Sequence, residues 1–220
     1  MSNPVNPELV VVVGAGAGVG AAVAHAFAEK GHPILLIARN IENLEEIAAG
    51  LRILGSSVTT AVADASLPND VARVIEKIEG PIDALVYNAA AFGGPLLATE
   101  PEEVRLATEV NLYSLLSATQ AALPKMQAGR SALLVTGGGF ALYPSSAYGV
   151  LSVGKAMIRV AALLLAQELK AADIRVATIT IGGTVAPATP FAPEIIAKKY
   201  IEAFENRDGE VETIFTGETI

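Results

Sequence analysis

Residues 10–20 have the sequence VVVVGAGAGVG, and this stretch predicts how the rest of the chain is organised. The four consecutive valines predict a buried β-strand, and the alanine-rich residues 21–30 predict a helix. The turn between them contains four alternating glycines: Gly14, Gly16, Gly18 and Gly20. Glycines let the backbone turn tightly and approach a phosphate closely, and the first N–H groups of a helix attract anions. The stretch therefore favours a site for the pyrophosphate of a dinucleotide.

Two other interpretations fit the same stretch. A buried turn between a strand and a helix also needs small residues. Residues 9–28 are almost uncharged over roughly the ~20 residues that a membrane span requires. The dense glycines and the absence of flanking basic residues argue against the span, and nucleotide binding stays the favoured interpretation.

Composition limits the class of protein. The 220 residues are enough for one domain, and we expect a single dinucleotide-binding domain over residues 1–220. The chain is 52% hydrophobic with a formal net charge of −8 and no Lys/Arg cluster, which argues against nucleic acid or an anionic membrane as a partner. Cysteine is absent, and His25 and His32 are expected at the surface, so no metal site is predicted.

The first eight residues, MSNPVNPE, lack the charged and apolar regions of a signal peptide. We therefore expect a cytoplasmic protein.

Strand and helix patterns alternate along the chain. Apolar runs predict strands at residues 10–13, 34–38, 58–63, 82–88, 133–136, 175–181 and 211–216. Helical patterns occupy residues 21–30, 41–54, 67–79, 102–126, 147–172 and 194–206. Continuous apolar strands indicate a parallel sheet that is buried on both faces. The predicted fold is α/β, a single-domain doubly wound parallel sheet of the Rossmann type with about seven strands and helices on both faces. Ligands of such sheets bind at the carboxyl ends of the strands.

The residue that follows the second strand indicates which cofactor fits. An acidic residue there accepts hydrogen bonds from the 2′-hydroxyl of the adenosine ribose, whereas an arginine suits a 2′-phosphate. The sequence at this point is Ala38-Arg39-Asn40, without a carboxylate. It favours NADP(H), with NAD(H) as the alternative cofactor. Arg39 also has a simpler explanation, in which it only solvates the start of a helix that Asn40 caps.

Several motifs in the same order resemble those of the short-chain dehydrogenase/reductase family. The glycines Gly14, Gly18 and Gly20 have that family's GxxxGxG spacing, and Tyr87-Asn88-Ala89-Ala90 is similar to its NNAG motif. Further positions that match the family's pattern are Asp64, Val110-Asn111-Leu112, Lys155, and Gly182-Gly183 with Thr189. The resemblance covers the chain from the first strand to the last.

The resemblance implies an oxidoreductase that transfers hydride between a nicotinamide cofactor and a small carbonyl or alcohol. The residues predicted to bind the cofactor are Gly14, Gly16, Gly18, Val19, Gly20, Arg39, Asn40, Asp64, Asn88, Ala89, Lys155, Gly183 and Thr184. In the family a tyrosine donates the proton, and a lysine four residues later lowers the tyrosine's pKa and binds the nicotinamide ribose. A serine orients the carbonyl, and a mid-helix asparagine supports a water that relays protons. Asn111 and Lys155 match two of these four positions.

The other two positions depart from the pattern. Leu151 stands where the tyrosine is expected, and Gly138 stands where the serine is expected. Loss of a positioned general acid costs about 10²–10⁴ in rate. Tyr148 is the candidate substitute, although on an ideal helix it is displaced from Leu151 by roughly 4.5 Å and rotated by about 60°. A tyrosine that only packs at a helix start is the alternative.

Tyr143 is a weaker candidate for the proton donor, and Thr136 is expected to be a core hydroxyl. Lys155 has its own alternative, because a lysine in an apolar helix can extend its ammonium to solvent. The helices over residues 102–126 and 147–172 are apolar around most of their circumference. In the resembled family these two helices form subunit interfaces, which implies a homodimer or homotetramer.

Three functions remain open on the sequence. The first is an NADP(H)-dependent oxidoreductase with a non-standard proton donor, which the cofactor residues support. The second is a catalytically impaired NADP(H)-binding protein, either a redox sensor or a partner subunit, which Leu151 and Gly138 support. A lyase or isomerase that uses the cofactor structurally has no positive signal in the sequence.

Overall fold

A computed structural model describes residues 6–217 of the chain. The strands are β1 (Leu9–Val13), β2 (Ile34–Ala38), β3 (Val58–Val62), β4 (Ile82–Tyr87), β5 (Ala132–Gly138), β6 (Arg175–Ile181) and β7 (Glu212–Phe215). The α-helices are α1 (Val19–Glu29), α2 (Ile41–Ile53), α3 (Asp70–Glu76), α4 (Pro101–Thr108), α5 (Ser114–Ala122), α6 (Gly149–Glu168) and α7 (Pro193–Glu205). The strands form one sheet in the order β3-β2-β1-β4-β5-β6-β7, and every pairing in it is parallel.

The sheet is covered by helices on both faces, which confirms the predicted fold class. Alternate residues of β1 point to opposite faces, so Val10 and Val12 enter one core while Val11 and Val13 enter the other. Helices α1, α2 and α7 complete the first core, and α3, α5 and α6 complete the second. This burial on both faces is the physical reason why the strands are continuous apolar runs.

The structure excludes the membrane-span interpretation of residues 9–28, because they form strand β1, a turn and helix α1. Within residues 6–217, one helical segment, Ser146–Glu168, is long and apolar enough to cross a bilayer by length and composition alone. Half of its most apolar window is buried inside the protein. That burial is typical of a helix that packs on a core.

Several predicted element boundaries were wrong, and three of the differences have a clear physical reason or consequence. The helix predicted over residues 102–126 is interrupted by a π-helical turn, Glu109–Tyr113, which joins α4 to α5. Helix α3 begins at Asp70 instead of residue 67, since Asn69 before it has a positive φ of 59°. Strand β5 continues through Gly138, because Gly137 and Gly138 still pair with β6.

A buried polar cluster ties together the amino ends of the central strands. The Asp83 carboxylate on β4 accepts hydrogen bonds from the Arg130 guanidinium and from the backbone N–H of Glu8. Burial raises the pKa of this carboxyl, but hydrogen bonds from His32, Arg130 and Glu8 outweigh that effect and hold the pKa at about 2. The cluster lies at the end of the sheet opposite to the carboxyl ends of the strands.

His32 was predicted at the surface, and the structure corrects this prediction. Its side chain is only 6% exposed and packs edge-on against Phe27 and Phe204. Its Nδ1 donates a hydrogen bond of 2.9 Å to the carbonyl of Glu8. The turn that His32 occupies thus faces the core, which the isolated motif Gly-His-Pro does not indicate.

The prediction of one domain over residues 1–220 stays a prediction. Residues 1–5 and 218–220 lie outside the described residues, and so does most of the segment MSNPVNPE that was considered for a targeting signal.

Candidate functional site

A large cleft opens at the carboxyl ends of the strands. Its volume is about 1390 Å³, which exceeds the roughly 300–1,000 Å³ of a pocket for one drug-sized ligand. The cleft extends from the ends of β2 and β3 to the start of α6 and the segment after β6. It lies where the chain order reverses between β1 and β4, which is the expected ligand position in a doubly wound sheet.

The glycine turn forms one part of the cleft wall. Gly14 has a φ of +82°, and a β-carbon there would lie 2.7 Å from the Cα of Ala89. A larger residue would therefore be strained and would clash with the backbone after β4. Gly16 and Gly18 face open space instead, so that side chains there would project into the cleft.

The amino end of α1 is free to bind an anion. Gly18 is its N-cap, and no side chain caps this helix end. A helix start of this kind presents unpaired N–H groups and the positive end of the helix dipole. Val19 and Gly20 begin the helix and also line the cleft. The turn therefore has the shape and the donors that a pyrophosphate requires.

The residues after β2 and β3 have different environments. Arg39 is exposed, lines the cleft and forms no ion pair with any residue in the range 6–217. Asp64 lines the cleft as well, and its Oδ1 accepts hydrogen bonds of 2.8 Å from the N–H and the hydroxyl of Ser66. Asn40 is not among the residues that line the cleft. Its Oδ1 accepts a hydrogen bond from the N–H of Asn43 and caps α2.

A chain of hydrogen bonds supports the glycine turn from below. Asn88 Nδ2 donates to the carbonyl of Gly14, so the amide oxygen of Asn88 must be an acceptor. The Thr136 hydroxyl donates to that oxygen at 2.8 Å. The hydroxyl of Tyr200 on α7 lies 2.6 Å from the same threonine oxygen. Because the threonine proton is already used, Tyr200 must be the donor to Thr136.

Lys155 is buried in the cleft, which corrects the alternative in which its ammonium extends to solvent. Its Nζ donates a hydrogen bond of 3.0 Å to the carbonyl of Thr136. Burial lowers the pKa of Lys155 from 10.5 to about 8. The aliphatic part of the lysine lies against Gly138, where a β-carbon would be 3.2 Å from Cγ, Cδ and Cε.

Asn111 is fully buried at the centre of the π-helical turn, and its side chain does not line the cleft. Its Nδ2 donates to the carbonyl of Ala107, and its Oδ1 is a buried acceptor without a partner in the described part of the chain. The side chain packs against Gly154, where a β-carbon would be 2.8 Å from Cγ of Asn111. Such π-turns often occur at functional sites.

Tyr148 lies in a 3₁₀ turn just before α6 and is the N-cap of that helix. Its side chain is half exposed, lines the cleft and contacts the ring of Phe140, with the ring centroids 5.3 Å apart. Leu151 and Lys155 follow on the same helix and line the same cleft. The structure therefore brings Tyr148 and Lys155 to one cavity, and Leu151 offers no proton there.

The remaining predicted contacts are also at the cleft. Gly183 and Thr184 are exposed and line it after β6, and Asn88 and Ala89 line it after β4. Within residues 6–217, no group of three His, Cys, Asp or Glu side chains could hold a metal ion.

Comparison with known proteins identifies the family. The family model for short chain dehydrogenases matches residues 8–195 of the chain. The chain belongs to the short-chain dehydrogenase family. One relative in this family is human 17-beta-hydroxysteroid dehydrogenase type 3, which is 29% identical over 197 residues. The alignment covers 87% of this chain and 61% of the human protein, so the chain spans about three-fifths of the length of that relative.

Solved short-chain dehydrogenase structures share the fold. A metagenomic short-chain oxidoreductase in complex with NADP superposes on this chain with a TM-score of 0.86 at 24% identity. The match covers 97% of each chain. An alcohol dehydrogenase from the archaeon Thermococcus sibiricus, complexed with 5-hydroxy-NADP, gives a TM-score of 0.81 at 25% identity. That match covers 93% of this chain and 94% of the archaeal one.

Sequence reasoning missed two sets of residues at this short-chain dehydrogenase cleft. Tyr200 lies in the helix predicted over residues 194–206, and nothing local indicates its hydrogen bond to Thr136. Phe92, Phe140 and Val185 line the cleft from three separate loops. Their only signal was an apolar residue in a loop, which sequence alone cannot assign to a site.

Proposed function

We propose that this protein binds NADP(H) and is an oxidoreductase that transfers hydride to or from a small carbonyl or alcohol. The observation that carries the proposal is one continuous cleft that contains the uncapped glycine turn, Arg39 and the buried Lys155. A phosphate-binding turn and a buried lysine in one cavity fit a dinucleotide whose reactive end lies beside a polar group.

The residues present fit this cofactor. The amino end of α1 would hold the pyrophosphate. Arg39 would pair with a 2′-phosphate, because within residues 6–217 its charge is unpaired and it follows β2, where the adenosine ribose is expected. The structural relatives that carry NADP or 5-hydroxy-NADP support the same preference. The human relative is named for a hydroxysteroid, which is an alcohol, and so supports alcohol or carbonyl chemistry.

The bound cofactor supplies the hydride, and the chain must supply the proton that balances it. Lys155 would contact the nicotinamide ribose and, with its pKa lowered to about 8 by burial, would take part in proton exchange near neutral pH. Tyr148 is the proposed proton donor to the substrate oxygen, since it is a phenol on the wall of the same cleft. Asn111 would hold a buried relay water at its unpaired Oδ1, behind the cleft wall, because its side chain does not line the cleft itself.

A second function is favoured by a specific observation. Leu151 and Gly138 remove both hydroxyls that the family resemblance leads us to expect, and Leu151 is buried at the cleft wall. An NADP(H)-binding protein with little turnover, serving as a sensor or partner subunit, needs only the cofactor half of the cleft.

Fluorescence titration with NADPH and NADH tests the cofactor assignment. We expect NADPH to bind at least tenfold more tightly than NADH, and Arg39→Ala to reduce that preference without a large change in NADH affinity. Equal affinities would contradict the role of Arg39. NADPH oxidation is then followed with a panel of aldehydes and ketones, and tight binding without turnover would favour the second function.

We also propose a homodimer or homotetramer and a cytoplasmic location. The outer face of α6 carries the exposed apolar residues Val153, Val160 and Leu164, which a partner subunit would cover. Analytical ultracentrifugation of the wild type and of Val160→Glu tests this assembly, and a wild-type monomer at micromolar concentration would refute it.

A further inference from the structure

The half of the cleft beyond Lys155 has an unusual lining. Four aromatic side chains surround it, and we call them the aromatic wall: Phe92, Phe140, Tyr143 and Tyr148. The chain has only six Phe and five Tyr residues, so more than a third of its aromatic rings lie at this one site. Phe92 and Tyr143 are each 81% exposed, far more than is usual for rings of this size.

Topology separates the aromatic wall from Arg39 and Asp64, which are the residues expected at the adenosine end of the cofactor. Arg39 and Asp64 follow β2 and β3 on one side of β1, whereas the wall follows β4 and β5 on the other side. A backbone hydrogen bond joins the two segments of the wall, because the N–H of Val150 at the start of α6 donates to the carbonyl of Gly94 in the loop after β4 that contains Phe92. The wall therefore remains available when Arg39 and Asp64 are occupied.

Charge in this half of the cleft does not suit an anion. Among residues 6–217, the ionised side chains that line it are Lys155 and Glu103, and no arginine does. Lys155 is buried and already donates to the carbonyl of Thr136. Glu103 is exposed at the mouth and would repel a negatively charged molecule. A carboxylate or phosphate on the substrate would find no bidentate partner of the kind that usually recognises it.

We infer that the substrate of this site is an uncharged carbonyl compound, or the matching alcohol, that carries an aromatic or similarly large apolar group next to the reacting carbon. This inference rests on the proposed function and assigns its substrate class. The exposed rings offer large apolar areas and flat faces for stacking. Burial of Phe92 and Tyr143 by such a group removes apolar surface from water, which supplies the binding free energy.

Ligand binding measured without turnover tests the inference. The protein is saturated with NADP+, which cannot reduce a ketone, and is titrated by saturation-transfer NMR with acetophenone, 4-acetylbenzoate and acetone. Acetophenone and 4-acetylbenzoate differ by one carboxylate, and acetone lacks the ring. We expect acetophenone to bind at least tenfold more tightly than either of the others. Equal or tighter binding of 4-acetylbenzoate overturns the inference.

Variants of the wall locate the binding. Phe92→Ala and Tyr143→Ala are each expected to weaken acetophenone binding threefold or more while NADP+ affinity stays unchanged. Tyr113→Ala is the matched control, because Tyr113 is also exposed but lies outside this cleft. Unchanged acetophenone affinity in both wall variants overturns the inference. So does a loss of oligomers with unchanged affinity, since that result assigns the rings to a subunit contact.

The outcomes separate this inference from the proposed function. Absence of NADP+ binding refutes the proposed function and this inference with it. NADP+ binding without preferential acetophenone binding refutes the substrate class alone. Preferential acetophenone binding without turnover rejects the oxidoreductase assignment and leaves the aromatic wall as a site for an uncharged aromatic ligand.

Discussion

The aliphatic part of Lys155 lies against the Cα of Gly138, where a β-carbon would be 3.2 Å from three carbons of the lysine. Any side chain at position 138 must therefore displace the lysine by a few tenths of an ångström. The lysine occupies the space beside the position where the family resemblance predicts a serine. The missing serine and the present conformation of Lys155 are thus coupled.

Restoring both missing hydroxyls is expected to increase carbonyl reduction. The double variant Leu151→Tyr with Gly138→Ser places a phenol four residues before Lys155 and a hydroxyl on β5. A positioned acid contributes about 10²–10⁴ in rate, and we expect at least a tenfold rise in kcat/KM for acetophenone with NADPH. Leu151→Phe with Gly138→Ser is the control, as it adds the same ring without the proton. An equal rise in both variants would show that the gain does not come from proton donation.

Tyr148→Phe tests the proposed donor in the wild-type chain. Because the ring that contacts Phe140 is preserved, only the hydroxyl is lost. We expect kcat to fall by at least tenfold while the Kd for NADPH stays within twofold. Tyr113→Phe, outside the cleft, is expected to leave kcat unchanged. A wild-type rate in Tyr148→Phe would assign the proton to another group.

Tyr200→Phe is expected to weaken NADPH binding, because the hydroxyl of Tyr200 starts the hydrogen-bond chain that ends at the carbonyl of Gly14. Burial raises the pKa of Tyr200, so the phenol stays protonated and donates. We expect a stability loss of about 1 kcal/mol, typical of one buried hydrogen bond, and a Kd that rises about threefold. Thermal unfolding and fluorescence titration measure the two effects.

Ser131→Ala is the matched control for Tyr200→Phe. Ser131 is buried, and its hydroxyl donates to the carbonyl of Ile82 at the opposite end of the sheet. We expect a stability loss at least as large, because this hydroxyl also accepts a hydrogen bond from the N–H of Gln127, with an unchanged Kd for NADPH. If both variants weaken NADPH binding equally, the effect of Tyr200 is general destabilisation.

The lowered pKa of the buried Lys155 predicts an unusual pH dependence of stability. Its pKa is about 8 in the folded protein and returns to its ordinary value of 10.5 on unfolding. Between these values the unfolded chain binds more protons, so the free energy of unfolding rises with pH. The rise is about 3 kcal/mol from pH 8 to pH 10.5, at ~1.4 kcal/mol per pH step.

Urea unfolding of the wild type and of Lys155→Met, from pH 7 to pH 10.5, measures this effect. We expect Lys155→Met to lack the rise and to be the more stable protein at pH 7, where the wild type buries a charge. A parallel pH dependence in both proteins would place the ammonium of Lys155 in solvent.

The sequence predicts the sheet well because its signals are local. The valines of β1, the glycine turn and the cap at Asn40 each depend on neighbours along the chain, and all three are present in the structure. The burial of His32 and the break at Asn111 depend on contacts between distant segments. No short window of sequence contains that information.

The two halves of the cleft also differ in how far local sequence predicts them. Much of the cofactor half is predicted by one contiguous motif, Gly14 to Gly20, and by Arg39, which follows β2. The aromatic wall is assembled by two segments that are far apart in sequence, one after β4 and one after β5, and Tyr200 reaches Thr136 across 64 positions. Only the folded chain shows which of its loop residues meet.

The buried cluster around Asp83 lies at the end of the sheet that is opposite to the cleft. The hydrogen bonds that join the amino ends of the central strands therefore do not involve Leu151 or Gly138. Substitutions at the positions expected for the proton donor and the serine leave these strand-end contacts intact, so we expect them to change activity without loss of the fold. Substitution of Asp83 is instead expected to reduce the yield of folded protein before it alters catalysis in the cleft.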